Sequence, residues 1–348
     1  MTSDAAGRVL KAHEYLLTLV RAKPDRRFAG GDREAFERWR QEFRGWLCGL
    51  LAPTGCSAGV PAAPEVKALS EERWPGCLRT ELKFRNADTG LVVPATVLQP
   101  RGGRGNGAGV VCQHGHGDFA RLAVIGDRRT QELVREIEQH QYDYGLGLAQ
   151  AGYTIIAIDL LNFGSRAMES LPCRDRCDVV GLWLSLFGLS LAAVQISDIR
   201  HAISVLAAWD GIAPERIGMC GLSQGGRMTM FTAAVDERIK VAVAAGSCNT
   251  LRDRIARLEG LCGAQVVAGL LPHADTPEVF ASVAPRPLQL QWGSRDPLIV
   301  EGPAQAGIAH IQSCYAAAGH ADHFQVHRFD GGHEFALEPA LEWLQRWL

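Results

Sequence analysis

The chain has 348 residues, of which 47% are hydrophobic and 21% are charged, a composition typical of a globular protein with a substantial core. Its formal net charge of -2, without a run of five or six like charges, gives no overall attraction to nucleic acid or to an anionic membrane. Residues 1–20 lack the hydrophobic region of a signal peptide, and no long apolar run predicts a membrane span. We therefore expect a soluble, cytoplasmic protein with neither nucleic acid nor membrane as partner.

The first 75 or so residues have the apolar spacing of helices. One amphipathic stripe covers residues 9–20 and a longer one covers residues 36–51, with Pro24 between them. The Pro, Gly and Ala content of residues 53–64 marks a linker. The sequence thus predicts an N-terminal helical extension and linker over residues 1–78, which would cover a sheet face or an oligomer contact.

From residue 79 onward the pattern changes to strands that alternate with helices. Residues 80–85 and 91–98 form a predicted hairpin. Short apolar strands follow near residues 109–112, 153–158, 217–220, 240–245, 288–291 and 324–328. This order predicts an α/β fold over residues 79–348, with a mostly parallel twisted sheet and helices on both of its faces.

A G-x-S-x-G motif lies between a predicted strand and a predicted helix. Gly221 and Gly225 flank Ser223, and residues without bulk on both sides allow a strand to turn sharply into a helix. The Ser223 hydroxyl would then stand at the carboxyl end of the sheet, as in the nucleophile elbow of an α/β-hydrolase.

Two further residues supply the partners that a serine nucleophile needs. Asp296 lies just after the strand predicted at 288–291, and His333 lies just after the last strand. Nucleophile, acid and histidine follow one another in the order found in α/β-hydrolases. We predict a triad of Ser223, Asp296 and His333. Asp330 is the reserve acid, less suited because it is so near His333 in the chain.

The tetrahedral intermediate of acyl transfer needs N–H donors aimed at its oxyanion. The elbow offers the backbone N–H of Gln224, the residue after the nucleophile. The glycine-rich loop after Cys112 would bring a second donor, for which we predict the backbone N–H of His116.

The same loop leaves a metal site open as an alternative. His114, His116 and Asp118 resemble the start of the H-x-H-x-D-H motif of dinuclear metallohydrolases, although Phe119 replaces the next histidine. Cys173 and Cys177 form a C-x-x-x-C pair that could bind zinc or form a disulfide, but no second pair lies nearby. We expect neither a metal nor another cofactor.

The motifs resemble those of α/β-hydrolase esterases related to acetyl xylan esterase and cephalosporin C deacetylase, over roughly residues 109–348. The resemblance rests on the G-x-S-Q-G-G sequence at 221–226, on His333-Glu334 and on Asp296 in the acid position. It implies a serine carboxylesterase that removes small acyl groups, often acetyl, from a carbohydrate or similar small molecule. Because related deacetylases form homo-oligomers, a homo-oligomer is also possible here.

Two segments interrupt the α/β alternation and are predicted to form pocket walls: residues 166–187 and 250–285. Candidate substrate contacts are Phe163, Arg166 and Trp183. One triad could also cleave an amide, a lactone or a carbon–carbon bond. A non-catalytic binding protein with a hydrolase fold is a further alternative, disfavoured because all three triad residues are present.

Overall fold

The computed structural model describes residues 11–52, 59–103, 105–171 and 173–348. A nine-stranded sheet runs through this part of the chain in the order β1-β2-β3-β5-β4-β6-β7-β8-β9. The strands are β1 (Val66–Trp74), β2 (Cys77–Arg85), β3 (Val92–Pro100), β4 (Gly109–Gln113), β5 (Thr154–Ile158), β6 (Ile217–Leu222), β7 (Ile239–Ala245), β8 (Leu288–Gly293) and β9 (Phe324–Phe329).

The first three strands pair antiparallel, as do β3 and β5. From β5 through β4 to β9, every neighbouring pair is parallel. The predicted α/β fold with a mostly parallel sheet is therefore confirmed. In such a sheet the carboxyl ends of the parallel strands meet at one edge, where ligands gather.

Helices cover both faces of the sheet and enclose two apolar core clusters. They are α1 (Ala12–Arg21), α2 (Arg33–Leu51), α3 (Arg121–Val124), α4 (Gln131–His140), α5 (Tyr144–Gln150), α6 (Cys173–Ser185), α7 (Leu191–Ala207), α8 (Gln224–Val235), α9 (Leu251–Ala256), α10 (Thr276–Ala281), α11 (Glu301–Ala317) and α12 (Leu337–Trp347). Among the residues that the structure describes, no helix is both long enough and apolar enough to cross a lipid bilayer.

The N-terminal helices pack on the α/β part of the chain. Phe36, Phe43 and Leu47 on one face of α2 are buried in the same core cluster as the central sheet. On the polar side of α2, Arg40 Nη1 lies 3.1 Å from Glu237 Oε1, which adds a charged contact to the apolar one. The second predicted stripe is thus the core-facing side of α2.

The prediction of helix up to about residue 75 is wrong for Val66–Trp74, which forms the edge strand β1. This strand pairs antiparallel with β2 over its whole length. No residue of β1 is buried, so the strand lacks the apolar alternation by which a half-buried strand is recognised. Its backbone hydrogen bonds to β2 stabilise it instead. The part of the predicted linker at residues 53–58 lies outside the described residues.

Candidate active site

Ser223 occupies a sharp turn between β6 and α8. Its backbone lies at φ 60° and ψ -115°, a strained conformation that non-glycine residues rarely adopt. The turn is tight because α8 begins directly under the loop that follows β4. A Cβ atom at Gly225 would lie only 2.7 Å from the carbonyl carbon of Gln113 and 2.8 Å from the carbonyl oxygen of His114. The small residue at this position is therefore required by the close approach of two backbones.

The structure brings His333 and Asp296 together. Asp296 follows β8, His333 follows β9, and His333 Nδ1 lies 2.7 Å from Asp296 Oδ2. The other carboxylate oxygen of Asp296 accepts a hydrogen bond from the Leu298 N–H at 2.9 Å, which fixes the orientation of this buried side chain. The remaining imidazole nitrogen, Nε2, is left for another partner.

The loop that carries His333 is supported from a different part of the chain. His140, at the end of α4, donates a hydrogen bond from Nδ1 to the His333 carbonyl oxygen over 2.7 Å. Asp330, the reserve acid, lies elsewhere: its side chain is 84% exposed and pairs with Arg295. Asp296 is therefore the carboxylate that contacts the imidazole of His333.

Ser223 and His333 line one cavity of about 370 Å³, a size that suits a small-molecule ligand. Its walls are built mostly from loops that follow the strands. The other lining residues are His116, Gly117, His140, Tyr142, Arg254, Cys262, Gln265 and Leu298.

The loop after β4 passes directly over the nucleophile. A Cβ atom at Gly115 would lie 2.9 Å from Ser223 Cβ and 2.8 Å from the Leu222 carbonyl oxygen. The Tyr142 hydroxyl donates to the carbonyl oxygen of His116 at 3.2 Å and so anchors the next peptide of the loop. The two predicted oxyanion donors thus belong to the two segments that border Ser223: this loop and the first turn of α8.

His114, His116 and Asp118 are not brought together as a metal site. The His114 ring donates from Nδ1 to the Gly115 carbonyl at 2.7 Å and accepts at Nε2 from the Leu160 N–H at 3.1 Å. Burial lowers the pKa of His114 to about 4, so the ring is neutral at pH 7. Asp118 pairs with Arg176 at 3.1 Å instead.

His116 faces two cysteines. Its Nε2 lies 2.9 Å from Cys262 Sγ, and Cys177 belongs to the same cluster. Hydrogen bonds from the Cys177 thiol and from the His116 ring lower the pKa of Cys262 to about 5 despite its burial. Cys262 also lines the cavity of Ser223. Cys173, the other residue of the C-x-x-x-C pair, has a side chain that lies outside the described residues.

The three predicted substrate contacts do not line this cavity. The Arg166 guanidinium forms a buried ion pair with Asp198 at 2.7 Å, because α7 carries that carboxylate directly beneath it. Phe163 is buried under the cavity wall, with its ring centroid 5.4 Å from that of His116. Trp183 is 53% exposed on α6. The fold therefore holds Arg166 in a buried ion pair outside the lining of the Ser223 cavity.

Sequence reasoning missed most of the cavity wall. The insertion predicted at 250–285 contributes Arg254, Cys262 and Gln265. Their place in this insertion was the only feature of the sequence that pointed to them as cavity residues. His140 and Tyr142 lie at and after the end of α4 and belong to no motif. None of the lining residues, all of which lie in the described part of the chain, comes from the insertion predicted at 166–187.

Comparison with known proteins gives the following similarities. The model of the acetyl xylan esterase family (AXE1) matches residues 194–253, the segment from α7 to α9 that contains Ser223. The "Putative hydrolase YtaP" of Bacillus subtilis (strain 168) is 29% identical over 265 residues, which are 73% of this chain and 83% of that protein.

Solved structures of esterases share the fold. A Bacteroides fragilis protein described as a putative acetyl xylan esterase superimposes with a TM-score of 0.78 at 17% identity, covering 94% of this chain and 84% of its own. A glucuronoyl esterase from Solibacter usitatus superimposes with a TM-score of 0.66 at 15% identity, covering 93% and 98%. The family match is consistent with an ester hydrolase, and the solved structures show a shared fold. The chain is thus similar to the acetyl xylan esterases in a matched segment and in its α/β fold, so the resemblance inferred from its sequence is confirmed.

Proposed function

We propose that the chain is a serine carboxylesterase that hydrolyses small acyl esters, such as acetyl esters, of a carbohydrate or other small molecule through an acyl-enzyme intermediate. One observation carries this proposal. Ser223, in a strained elbow, shares a cavity with His333, whose imidazole is bound at 2.7 Å to the buried carboxylate of Asp296.

In the proposed mechanism, His333 Nε2 accepts the hydroxyl proton as Ser223 Oγ attacks the ester carbonyl carbon. Asp296 accepts the hydrogen bond of Nδ1–H, keeps the imidazole in the required tautomer and stabilises the imidazolium that forms. The Nε2–H proton then passes to the departing alcohol, which leaves an acyl group on Ser223. A water molecule activated by the same nitrogen hydrolyses this acyl-enzyme.

Negative charge on the tetrahedral intermediate would be stabilised by the backbone N–H groups of Gln224 and His116. The Gln224 side chain is occupied elsewhere: its Nε2 donates to the Ala264 carbonyl at 2.9 Å and to Gln195 Oε1 at 3.0 Å. These contacts hold the first residue of α8 in place. The positive end of this helix dipole favours an anion at the same point.

The substrate class rests on the cavity and on the similarities. A cavity of about 370 Å³ accommodates an acyl group and part of a sugar ring. A polymer would have to extend beyond the cavity. The descriptions of the similar structures name an acetyl xylan esterase and a glucuronoyl esterase. Acetylated mono- and oligosaccharides are therefore the first substrates to examine.

The test is labelling with a fluorophosphonate probe, read by intact mass. We expect one adduct on the native chain, none on Ser223→Ala and one on the control Ser294→Ala, whose hydroxyl lies outside the cavity lining. A panel of acetylated sugars, short aryl esters, lactones and dipeptide amides then identifies the bond that is cleaved. Folded protein that takes up no probe, or a Ser223→Ala variant that is still labelled, contradicts the proposed nucleophile.

A further inference from the structure

A cluster of three metal-binding side chains lies beside the proposed catalytic residues. His116 Nε2, Cys177 Sγ and Cys262 Sγ all lie within 4.8 Å of one another. They come from separate segments of the chain: the loop after β4, helix α6, and the loop between α9 and α10. The fold brings these three atoms together, since the three residues do not share a local sequence motif.

The spacing of the three atoms fits one ion. Zinc binds imidazole nitrogen and thiolate sulfur at about 2.0 to 2.3 Å, so a tetrahedral ion separates its ligand atoms by about 3.6 to 3.8 Å. The observed distance of 2.9 Å between His116 and Cys262 and the upper limit of 4.8 Å for the whole cluster bracket this separation. The distance from His116 Nε2 to Cys262 Sγ would have to lengthen by less than about 1 Å to reach this separation.

Both sulfur atoms also have N–H donors of the kind that surrounds zinc-bound thiolates. Asn162 Nδ2 lies 3.7 Å from Cys177 Sγ, and the backbone N–H of Ala264 donates to Cys262 Sγ. Outer-shell hydrogen bonds of this type orient metal ligands and stabilise their charge. Cys177 and Cys262 are buried, so few water molecules could take over this role.

The cluster opens toward the proposed active site. His116 and Cys262 line the same cavity as Ser223, whereas Cys177 lies behind them, fully buried. An ion held by three protein ligands keeps a fourth position, as in catalytic zinc sites. Here that position would face the cavity.

We propose that His116, Cys177 and Cys262 form a binding site for a thiophilic divalent metal ion, zinc above all, whose fourth ligand is a water molecule or an oxygen atom of a molecule bound in the cavity. The site uses neither His114 nor Asp118, and so differs from the dinuclear alternative considered for the sequence. The proposal does not depend on the proposed esterase activity, because metal binding needs neither Ser223 nor His333.

The experiment uses the full chain, freed of metal by a chelator and kept reduced with a phosphine. Zinc is titrated against a chromophoric competitor, and cobalt(II) is added separately to detect thiolate-to-cobalt charge-transfer absorption. We expect one ion per chain. Cys262→Ser and Cys177→Ser should each lower the zinc affinity at least about a hundredfold, since even loss of an outer-shell partner commonly costs 10- to 100-fold.

The matched control is Cys314→Ser. Cys314 is also buried and also lies near a histidine, 3.7 Å from His310 Nε2, but it is not in the cluster. This variant should bind zinc as tightly as the native chain, and so should Ser223→Ala, which separates the metal site from the proposed nucleophile.

Circular dichroism checks that each variant is folded. If Cys177→Ser fails to fold, Cys262→Ser and His116→Gln decide the outcome, because both residues line the cavity of Ser223. The proposal is overturned if the reduced native chain binds no zinc, if cobalt gives no charge-transfer absorption, or if Cys262→Ser and His116→Gln change the affinity by less than threefold.

Discussion

The sharpest test of the proposed mechanism is a pair of substitutions, Asp296→Asn and Asp330→Asn. Both remove one negative charge from a loop near His333 at almost constant volume. The Asp296 carboxylate is buried and contacts His333 Nδ1 at 2.7 Å. The Asp330 side chain is 84% exposed and pairs with Arg295. Only the first should matter for the chemistry.

The size of the effect follows from that contact. Two unit charges 2.7 Å apart attract one another by about 6 kcal/mol at an effective dielectric constant near 20. This attraction forms only when His333 becomes an imidazolium, in the transition state. Its loss corresponds to roughly a 10⁴-fold decrease in kcat, since each factor of ten is about 1.4 kcal/mol. An asparagine amide can also donate to Nδ1, which would place the proton on Nε2, the nitrogen that must accept it.

The assay is the initial rate of hydrolysis of a short acyl aryl ester at pH 7 to 8, with circular dichroism to confirm the fold. We expect Asp296→Asn to lose three to five orders of magnitude in kcat with little change in KM. Asp330→Asn should stay within about fivefold, since an exposed ion pair contributes about 1 kcal/mol at most. Equal losses in the two variants, or a larger loss for Asp330→Asn, would refute the assignment of the acid.

Three further predictions concern the fold. Gly225→Ala should destabilise the chain by about 3 kcal/mol or more, because its Cβ would overlap the Gln113 carbonyl; an unchanged urea midpoint would contradict this. Burial lowers the pKa of His310 to about 4, below its value in the unfolded chain, so stability is lost as the pH falls from about 6.5 to about 4, by roughly 3 kcal/mol for this group. In urea titrations at several pH values, His310→Gln should lose less folding stability than the native chain as the pH falls. Parallel pH profiles for the two proteins would argue against this prediction. On α2, Leu47→Ala should lower the free energy of unfolding by about 2 to 5 kcal/mol. Gly45→Ala should raise it by up to about 1 kcal/mol, because nothing lies within 4 Å of a new Cβ there. A loss below about 1 kcal/mol for Leu47→Ala would mean that α2 unfolds apart from the sheet.

The sequence predicted well the features that depend on local backbone constraints. A serine between glycines, after an apolar strand, has few geometries available, and these constraints can be recognised from one segment. The acid and the histidine follow strands β8 and β9, so the parallel order of the sheet was enough to predict that Asp296 and His333 would meet.

The cavity wall could not be predicted in the same way. Cys262 and His116 are 146 positions apart, and their contact depends on how two loops pack over the sheet. Arg166 shows the converse. Its charge suggested a role in binding, but Asp198 on α7 lies close enough to neutralise it. Such pairings between distant segments leave no periodic signal in a single sequence.

The position of β9 at the edge of the sheet has a consequence for how activity would be lost. In the described part of the chain β9 is the last strand of the sheet, next to β8, and none of its residues is fully buried. β6 and β7, by contrast, consist almost wholly of buried residues. Edge segments of this kind open at lower free energy than central ones and exchange their amide hydrogens sooner. Because the loop with His333 follows β9, fraying of this edge would withdraw the proposed base while Ser223 stays in place. We therefore expect heat or urea to abolish the proposed activity, through opening of β9, before the central sheet unfolds.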